Sequence, residues 1–167
     1  ALADHYTYAQ SNSRAKSIYA DVWNLLSEDE ERLELRKELL EKPVALIEDT
    51  IPRYAFNGGD RIAHDEELLT GTIRVDYTVS ERGRVRNIRT EANPPEFTDM
   101  QRMVHREIRR RVFRPQMSDA EARHSDTLVF EHKFFYRQAD LDERTGQTQQ
   151  TADSSTEVSQ FQDPAQH

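Results

Sequence analysis

Residues 71–91 read GTIRVDYTVSERGRVRNIRTE, and this stretch decides the fold. Between Ile73 and Val79, β-branched and aromatic residues alternate with polar ones, a period of two that is typical of a strand with one buried face. Gly83 lies in the polar break that follows, where a tight turn favours a residue that tolerates a positive φ. The stretch therefore predicts an antiparallel hairpin.

The return strand, from Arg84 to Glu91, departs once from this alternation. Its apolar residues Val85 and Ile88 are three positions apart, so they cannot share a face of a regular strand. A β-bulge inserts one extra residue and restores the alternation. We expect a bulge or a strong local twist near Arg86–Asn87.

A helix and a third strand complete the predicted domain. Pro94–Pro95 ends the sheet pairing because proline cannot donate a ladder hydrogen bond, and Pro115 ends a helix that begins near Glu96. Residues 127–136 form the last strand. The predicted fold class is α+β, a small antiparallel three-stranded sheet with a packed helix, in the order strand, strand, helix, strand. The apolar residues of the helix recur at helical spacing: Phe97, Met100, Val104, Ile108 and Val112.

The ordered set of these features resembles the TonB C-terminal domain family. The residues that carry the resemblance are Gly71 with its alternating strand, the Arg82–Val85 hairpin, the Pro94–Pro95 break, Arg110–Pro115 (RRVFRP) and the aromatic last strand. The resemblance implies a periplasmic domain, residues 71–137, that takes up an extended segment of an envelope protein along a sheet edge. The family's best-known members carry inner-membrane energy to outer-membrane receptors, so TonB-type envelope transport is the implied process.

Residues 1–51 predict a helical hairpin before this domain. Apolar residues recur at helical spacing over 12–26, and Ser27 is placed to cap the second helix. The spacing of Tyr19 and Trp23 is faintly similar to a tetratricopeptide unit. This leaves open a second function, the terminal module of a helical-repeat scaffold with no energy-transducing role. For the hairpin itself, we expect docking on the sheet domain.

The remaining segments predict little regular structure. Val44–Ile47 follows a proline and predicts a short helical turn. Residues 52–70 are interpreted as a linker with a glycine pair. Residues 138–167 are acidic and rich in Gln, Thr and Ser, and they bury too little apolar surface to offset the entropy of ordering. We expect that tail to be disordered.

The net charge of −8 is unevenly distributed. Residues 71–137 carry 14 basic and 10 acidic side chains, whereas both flanks are acidic. No aromatic residues for base stacking are interleaved with the arginines of the predicted helix. We therefore expect acidic protein partners rather than nucleic acid. The helical arginines that recur three and four apart are Arg102, Arg106, Arg109 and Arg110.

The residue types that catalysis or metal binding needs form no recognisable pattern. The protein has no cysteine, which excludes disulfides and thiolate chemistry. The six histidines show no metal-ligand spacing, and no nucleophile elbow, phosphate loop or dinucleotide fingerprint is present. We expect no enzymatic activity, cofactor or metal. No run reaches the roughly 20 apolar residues of a membrane span, so any anchor is expected to come from a segment outside this sequence.

The last predicted strand carries apolar residues on both faces, a hazard in an uncovered edge strand. We expect this strand to be an edge that pairs with an extended partner segment or with a second protomer; a central or covered strand is the alternative. Three polar residues of the strand would discourage indiscriminate pairing: Glu131, His132 and Lys133. The candidate partner-binding residues are Thr127, Leu128, Val129, Phe130, Glu131, His132, Lys133, Phe134 and Phe135, with Arg106 and Arg110 of the helix.

Overall fold

The structure, a computed structural model, describes residues 2–48, 50–56 and 67–146. It combines helices with antiparallel sheets, which confirms the α+β class. The helices are α1 (Leu2–Tyr8), α2 (Asn12–Ser27), α3 (Leu33–Leu40) and α4 (Thr98–Arg110), with a 3-10 turn at Glu30–Arg32. The strands are β1 (Val44–Ala45), β2 (Leu69–Val79), β3 (Val85–Asn93), β4 (Phe113–Arg114), β5 (Gln116–Ser118), β6 (Glu121–Arg123) and β7 (Leu128–Tyr136).

The central sheet has three antiparallel strands in the order β3-β2-β7. The alternation in β2 places Ile73, Val75 and Val79 in the core with no solvent exposure. β2 is therefore paired on both sides and buried on one face, which makes it the centre of the fold.

The β2–β3 connection follows the sequence expectation. Gly83 has a φ of 71°, and a Cβ at this position would collide with the carbonyl oxygen of Phe113. Pairing shifts register between Asp76 and Thr78, and Asn87, opposite this point, has a φ of 50°. The predicted bulge is therefore confirmed.

α4 lies across the core face of the sheet. Met100, Val104 and Ile108 are buried, as their spacing predicts. Phe97, just before the helix, is fully buried, and its ring centroid lies 5.0 Å from that of Phe134 in β7. This contact fastens the start of α4 to the C-terminal half of β7.

Three short strands, β4 to β6, lie between α4 and β7 and are absent from the order of elements expected from the sequence. β4 pairs with β1, and β5 pairs with β6. The helical turn expected at Val44–Ile47 is wrong, because Val44 and Ala45 are extended and pair with Arg114 and Phe113. The pairing partner is distant in sequence, so local pattern could not indicate it.

The N-terminal helices pack on this inserted region. α1 precedes the two helices expected from the sequence, and Ser27 is the last residue of α2 rather than a cap. Asp29 caps the 3-10 turn instead, accepting a hydrogen bond from the Glu31 N–H at 3.1 Å. A second apolar cluster joins the helices to β5: Ala3, Ala15, Tyr19, Leu26, Leu40 and Met117.

A largely buried ion pair connects α1 to β4. Arg114 donates from Nε and Nη2 to both carboxylate oxygens of Asp4, each at 2.8 Å, and from Nη1 to the Leu39 carbonyl oxygen at 3.0 Å. Tyr19 donates to Asp4 at 2.8 Å. Burial by itself raises the pKa of Asp4, but the hydrogen bonds from Arg114 and Tyr19 hold that pKa well below its ordinary value.

Residues 138–146 form a further helix, here α5, where the sequence predicts a disordered tail beginning at residue 138. Arg144 donates to Asp99 of α4 at 2.8 Å and to the Ala55 carbonyl oxygen at 3.1 Å. These charged contacts act together with Leu141, which packs against the main apolar core. The rest of the predicted tail, 147–167, lies outside the described residues.

Gly71 should tolerate no side chain, since a Cβ there would overlap the fully buried ring of Phe134. We expect Gly71→Ala to lower the free energy of unfolding by about 1–3 kcal/mol, the usual cost of overpacking a core. Urea unfolding measures this. Gly146→Ala is the control, because nothing lies within 4 Å of its added Cβ. A parent-like unfolding midpoint for Gly71→Ala would contradict the packing.

Asp4→Asn should weaken the docking of α1, because it leaves Arg114 without its counter-charge. We expect a loss of about 3 kcal/mol in urea unfolding at neutral pH. The pKa of folded Asp4 lies below the unfolded value of 3.8. The contribution of the pair is therefore complete above the unfolded pKa and is lost as the pH falls through the folded pKa.

The difference in stability between the parent and Asp4→Asn should accordingly narrow at about pH 3. Glu34→Gln is the control, since it removes the exposed partner of Lys37 and should leave the unfolding midpoint unchanged. A difference that stayed constant with pH would show that the Asp4 carboxylate does not carry the effect.

Candidate functional site

The last strand, β7, pairs with β2 along one side. Paired positions run from Tyr136 with Leu69 to Leu128 with Tyr77. Within the described residues, no strand pairs with the other side of β7 over its N-terminal part. β7 is therefore an edge strand of the described sheet.

A short segment before β2 covers the C-terminal part of this edge. The Phe135 N–H donates to the Arg53 carbonyl oxygen at 2.7 Å, and the Ala55 N–H donates to the Phe135 carbonyl oxygen at 2.9 Å. These bonds form a parallel bridge centred on Tyr54, whose ring lies 5.7 Å from that of Phe135. The segment belongs to the predicted linker, of which residues 57–66 lie outside the described residues.

Alternate residues of β7 direct their backbone groups to opposite sides. Because the N–H and C=O of Phe135 point away from β2, those of Val129, Glu131 and Lys133 do so as well. None of the residues described in the structure bonds to these groups. We name the backbone Val129–Lys133 the open edge. Each outward-facing residue there offers one donor and one acceptor to an incoming strand.

Side chains of the open edge divide between the two faces of the sheet. Phe130 is half-buried on the core face. His132 is buried there, with its Nε2 at 2.8 Å from the Pro52 carbonyl oxygen. His132 therefore holds the covering segment instead of discouraging pairing as the sequence suggests. Exposed on the outer face are Val129, Glu131 and Lys133.

The other predicted residues of the last strand differ in what they can contribute. Thr127 precedes the strand and is exposed, and Leu128 is half-buried in the core. Phe134 is fully buried beneath α4, so a partner strand does not reach it. Phe135 is already paired with the covering segment.

Arg106 and Arg110 are exposed on α4, and no described contact joins their side chains to the open edge. Their side chains approach Glu107, at 4.0 and 3.5 Å. Gln101 holds α4 over β3, on the far side of the sheet from β7, by donating to the Thr90 carbonyl oxygen at 2.7 Å. The partner that the structure gives both arginines is therefore an acidic residue of their own helix.

Arg111 is not among the residues predicted from the sequence, yet its guanidinium lies beside the open edge. α4 ends at Arg110, and Arg111 turns the backbone with φ and ψ of −57° and 143°. The residue is 8% exposed, and its guanidinium carbon lies 4.8 Å from the ring centroid of Phe130. Its Nε is buried with no acceptor among the described residues. In the sequence, Arg109–Arg111 is one uniform run, so nothing local distinguishes Arg111.

One other described depression has polar groups that already bond each other. A depression of about 220 Å³ lies between the N-terminal helices and the β2–β3 turn, but the buried hydroxyls of Thr7 and Tyr19 in its wall bond each other at 3.0 Å. Across the described ranges, no three His, Asp or Glu side chains are grouped to hold a metal ion. None of the helices in those same ranges combines the length and apolar character needed to cross a bilayer.

Comparison with known proteins does not assign the protein to a family. No protein-family model matches it, and no curated protein matches it.

Amide hydrogen exchange should distinguish the two parts of β7. The N–H groups of Val129 and Glu131 point away from β2, so we expect them to exchange roughly tenfold faster or more than that of Phe135, which donates to Arg53. NMR on the full-length protein measures this. The Phe130 N–H, which faces β2, is the internal control. Equal protection of Val129 and Phe130 would contradict the open edge.

Proposed function

We propose that this protein is a non-enzymatic protein-binding domain of the TonB C-terminal type, which receives an extended segment of an envelope protein at the open edge. The observation that carries the proposal is the row of unpaired backbone groups at Val129, Glu131 and Lys133. Strand addition satisfies such groups with backbone hydrogen bonds and takes its specificity from alternate side chains.

The covering segment supports this mode of binding. Arg53 and Ala55 already pair with Phe135 on the outer side of β7. The same side of β7 therefore has the geometry that a neighbouring strand needs, and the open edge differs by lacking the neighbour. Proteins commonly cover or charge a bare edge to prevent indiscriminate pairing. Here the exposed charges of Glu131 and Lys133 would restrict pairing to a suitable segment.

The arrangement of the sheet supports the likeness to the TonB family. A hairpin, an amphipathic helix across one face and an aromatic last strand beside the first are the features in which the protein resembles that domain. The element order predicted from the sequence, strand, strand, helix and strand, does not include β4 to β6. These three short strands contact the N-terminal helices. A periplasmic location and a role in TonB-type transport follow from the likeness and belong to the proposal.

The helical-repeat scaffold has less support. Apolar side chains of the N-terminal helices, including Tyr19 and Leu40, cluster with Met117 of β5. The helices therefore pack on the sheet domain, which is expected if they are an accessory part of that domain. The end of a repeat array would instead stack on a neighbouring repeat.

Val129→Pro tests the proposal in the full-length protein. The Val129 N–H points away from β2, so proline removes a donor of the open edge without removing a ladder bond. Val129→Thr is the matched control, since it keeps both the N–H and the β-branched shape. We expect an envelope protein of the native cell to be captured by the parent and by Val129→Thr. Capture by Val129→Pro should fall about tenfold.

Urea unfolding of each variant shows whether it is folded. A photo-cross-linker at position 131 should label an extended segment of the captured protein. Equal capture by Val129→Pro and Val129→Thr would place the binding surface elsewhere and overturn the proposal. Self-association of the parent that Val129→Pro abolishes would identify a second protomer as the occupant.

A further inference from the structure

Arg111 carries a positive charge that the described part of the protein does not neutralise. The residue is more than nine-tenths buried, at 8% exposure. Its buried Nε has no acceptor, and the guanidinium forms no ion pair within the described residues. Burial of an ionised group without a partner is strongly unfavourable. A position of this kind indicates a ligand that supplies the missing acceptor.

The contrast with Arg114 shows what Arg111 lacks. Arg114 is also largely buried, and it meets both carboxylate oxygens of Asp4 at 2.8 Å. Arg111 has only the ring face of Phe130, with the guanidinium carbon at 4.8 Å from the ring centroid. A cation–π contact of this kind orients the guanidinium but leaves its buried Nε–H without an acceptor.

The described carboxylates of the protein do not fill this role. Burial raises the pKa of Tyr77, while the charge of Arg111 lowers it and that of Glu48 raises it. Both charges therefore lie within electrostatic reach of Tyr77. Glu48 is nevertheless exposed and makes no ion pair with Arg111. Nε is the one guanidinium nitrogen of Arg111 that is both buried and without an acceptor among the described residues, so the two Nη groups remain within reach of a carboxylate from another molecule.

Phe130 connects Arg111 to the open edge. It lies between Val129 and Glu131, whose backbone groups are unpaired, and its side chain points to the core face. In an added strand, the residue opposite Phe130 would project to the same face, with its Cβ about 5 Å from that of Phe130. A side chain at that position would reach the guanidinium stacked on the Phe130 ring.

We propose that Arg111 binds a carboxylate carried by the extended segment that adds to the open edge, at the position opposite Phe130. This inference rests on the proposed strand addition and specifies the chemistry of the partner. A carboxylate fits because a planar guanidinium donates two parallel hydrogen bonds to its two oxygens. The side chain of Asp or Glu supplies that group, and so does the carboxyl terminus of a polypeptide.

Two opposite effects of one substitution follow from this site. In the free protein, Arg111→Met removes an uncompensated buried charge and keeps packing against Phe130, so the urea unfolding midpoint should rise. In the complex, Arg111→Met removes the partner of the carboxylate, so affinity should fall. An arginine with a purely structural role would lower stability when replaced and would leave binding insensitive to the charge of the segment.

The test uses the full-length protein and synthetic peptides of about eight alternating valines and threonines, acetylated and amidated. One peptide carries a central glutamate and the other a central glutamine. In an NMR titration we expect both to shift the open-edge amides, and the glutamate peptide to bind about tenfold more tightly. Arg111→Met should abolish that preference. Arg110→Met, which removes the exposed neighbouring arginine, should retain it.

Three other outcomes would contradict a carboxylate site at Arg111. Equal binding of the two peptides by the parent would overturn the carboxylate site and leave strand addition standing. Binding of neither peptide would overturn strand addition and this site with it. A glutamate preference that Arg110→Met abolishes and Arg111→Met retains would move the site to the exposed face of α4.

A third peptide distinguishes the two sources of the carboxylate. It ends at the central position with a free terminal carboxylate, and an amidated copy is its control. Stronger binding of the free form than of the internal glutamate peptide assigns the site to the carboxyl terminus of a partner polypeptide. The reverse order assigns it to an acidic side chain, and either order supports a carboxylate site at Arg111.

Discussion

The packing of Phe134 against Gly71 is the constraint on which the rest of the structure depends. The Phe134 ring occupies the space that a side chain at residue 71 would fill, and it contacts Phe97 at the start of α4. A slip of one residue would exchange the two faces of β7 and expose this ring. The register that results decides which backbone groups of β7 face β2 and which form the open edge.

Buried charge has opposite consequences at Arg111 and Arg114, three positions apart. Arg114 is matched by Asp4 and ties the N-terminal helices to β4. Arg111 has only an aromatic ring beside it, and its buried Nε has no acceptor among the described residues. Protein sequences retain such locally unfavourable groups chiefly where a function needs them, and the position of Arg111 beside the open edge fits that pattern.

Contacts from several elements fix the covering segment against the C-terminal part of β7, and so determine where the open edge ends. His132 bonds to the Pro52 carbonyl oxygen, and Phe135 bonds to Arg53. Arg144 of α5 donates to Ala55, so α5 fastens the covering segment from its other end. In the proposed complex, these contacts would end the pairing of an added strand at Lys133 and so set its position relative to Phe130 and Arg111.

The sequence by itself determined the elements whose pattern is local. The period of two in β2, the bulge at Asn87 and the apolar stripe of α4 all follow from the spacing of neighbouring residues. Only the tertiary structure decided the β1–β4 pairing, the half-covered edge of β7 and the isolation of Arg111. Those features arise from contacts between residues far apart in the sequence. The local sequence around each residue does not indicate which distant residue it will contact.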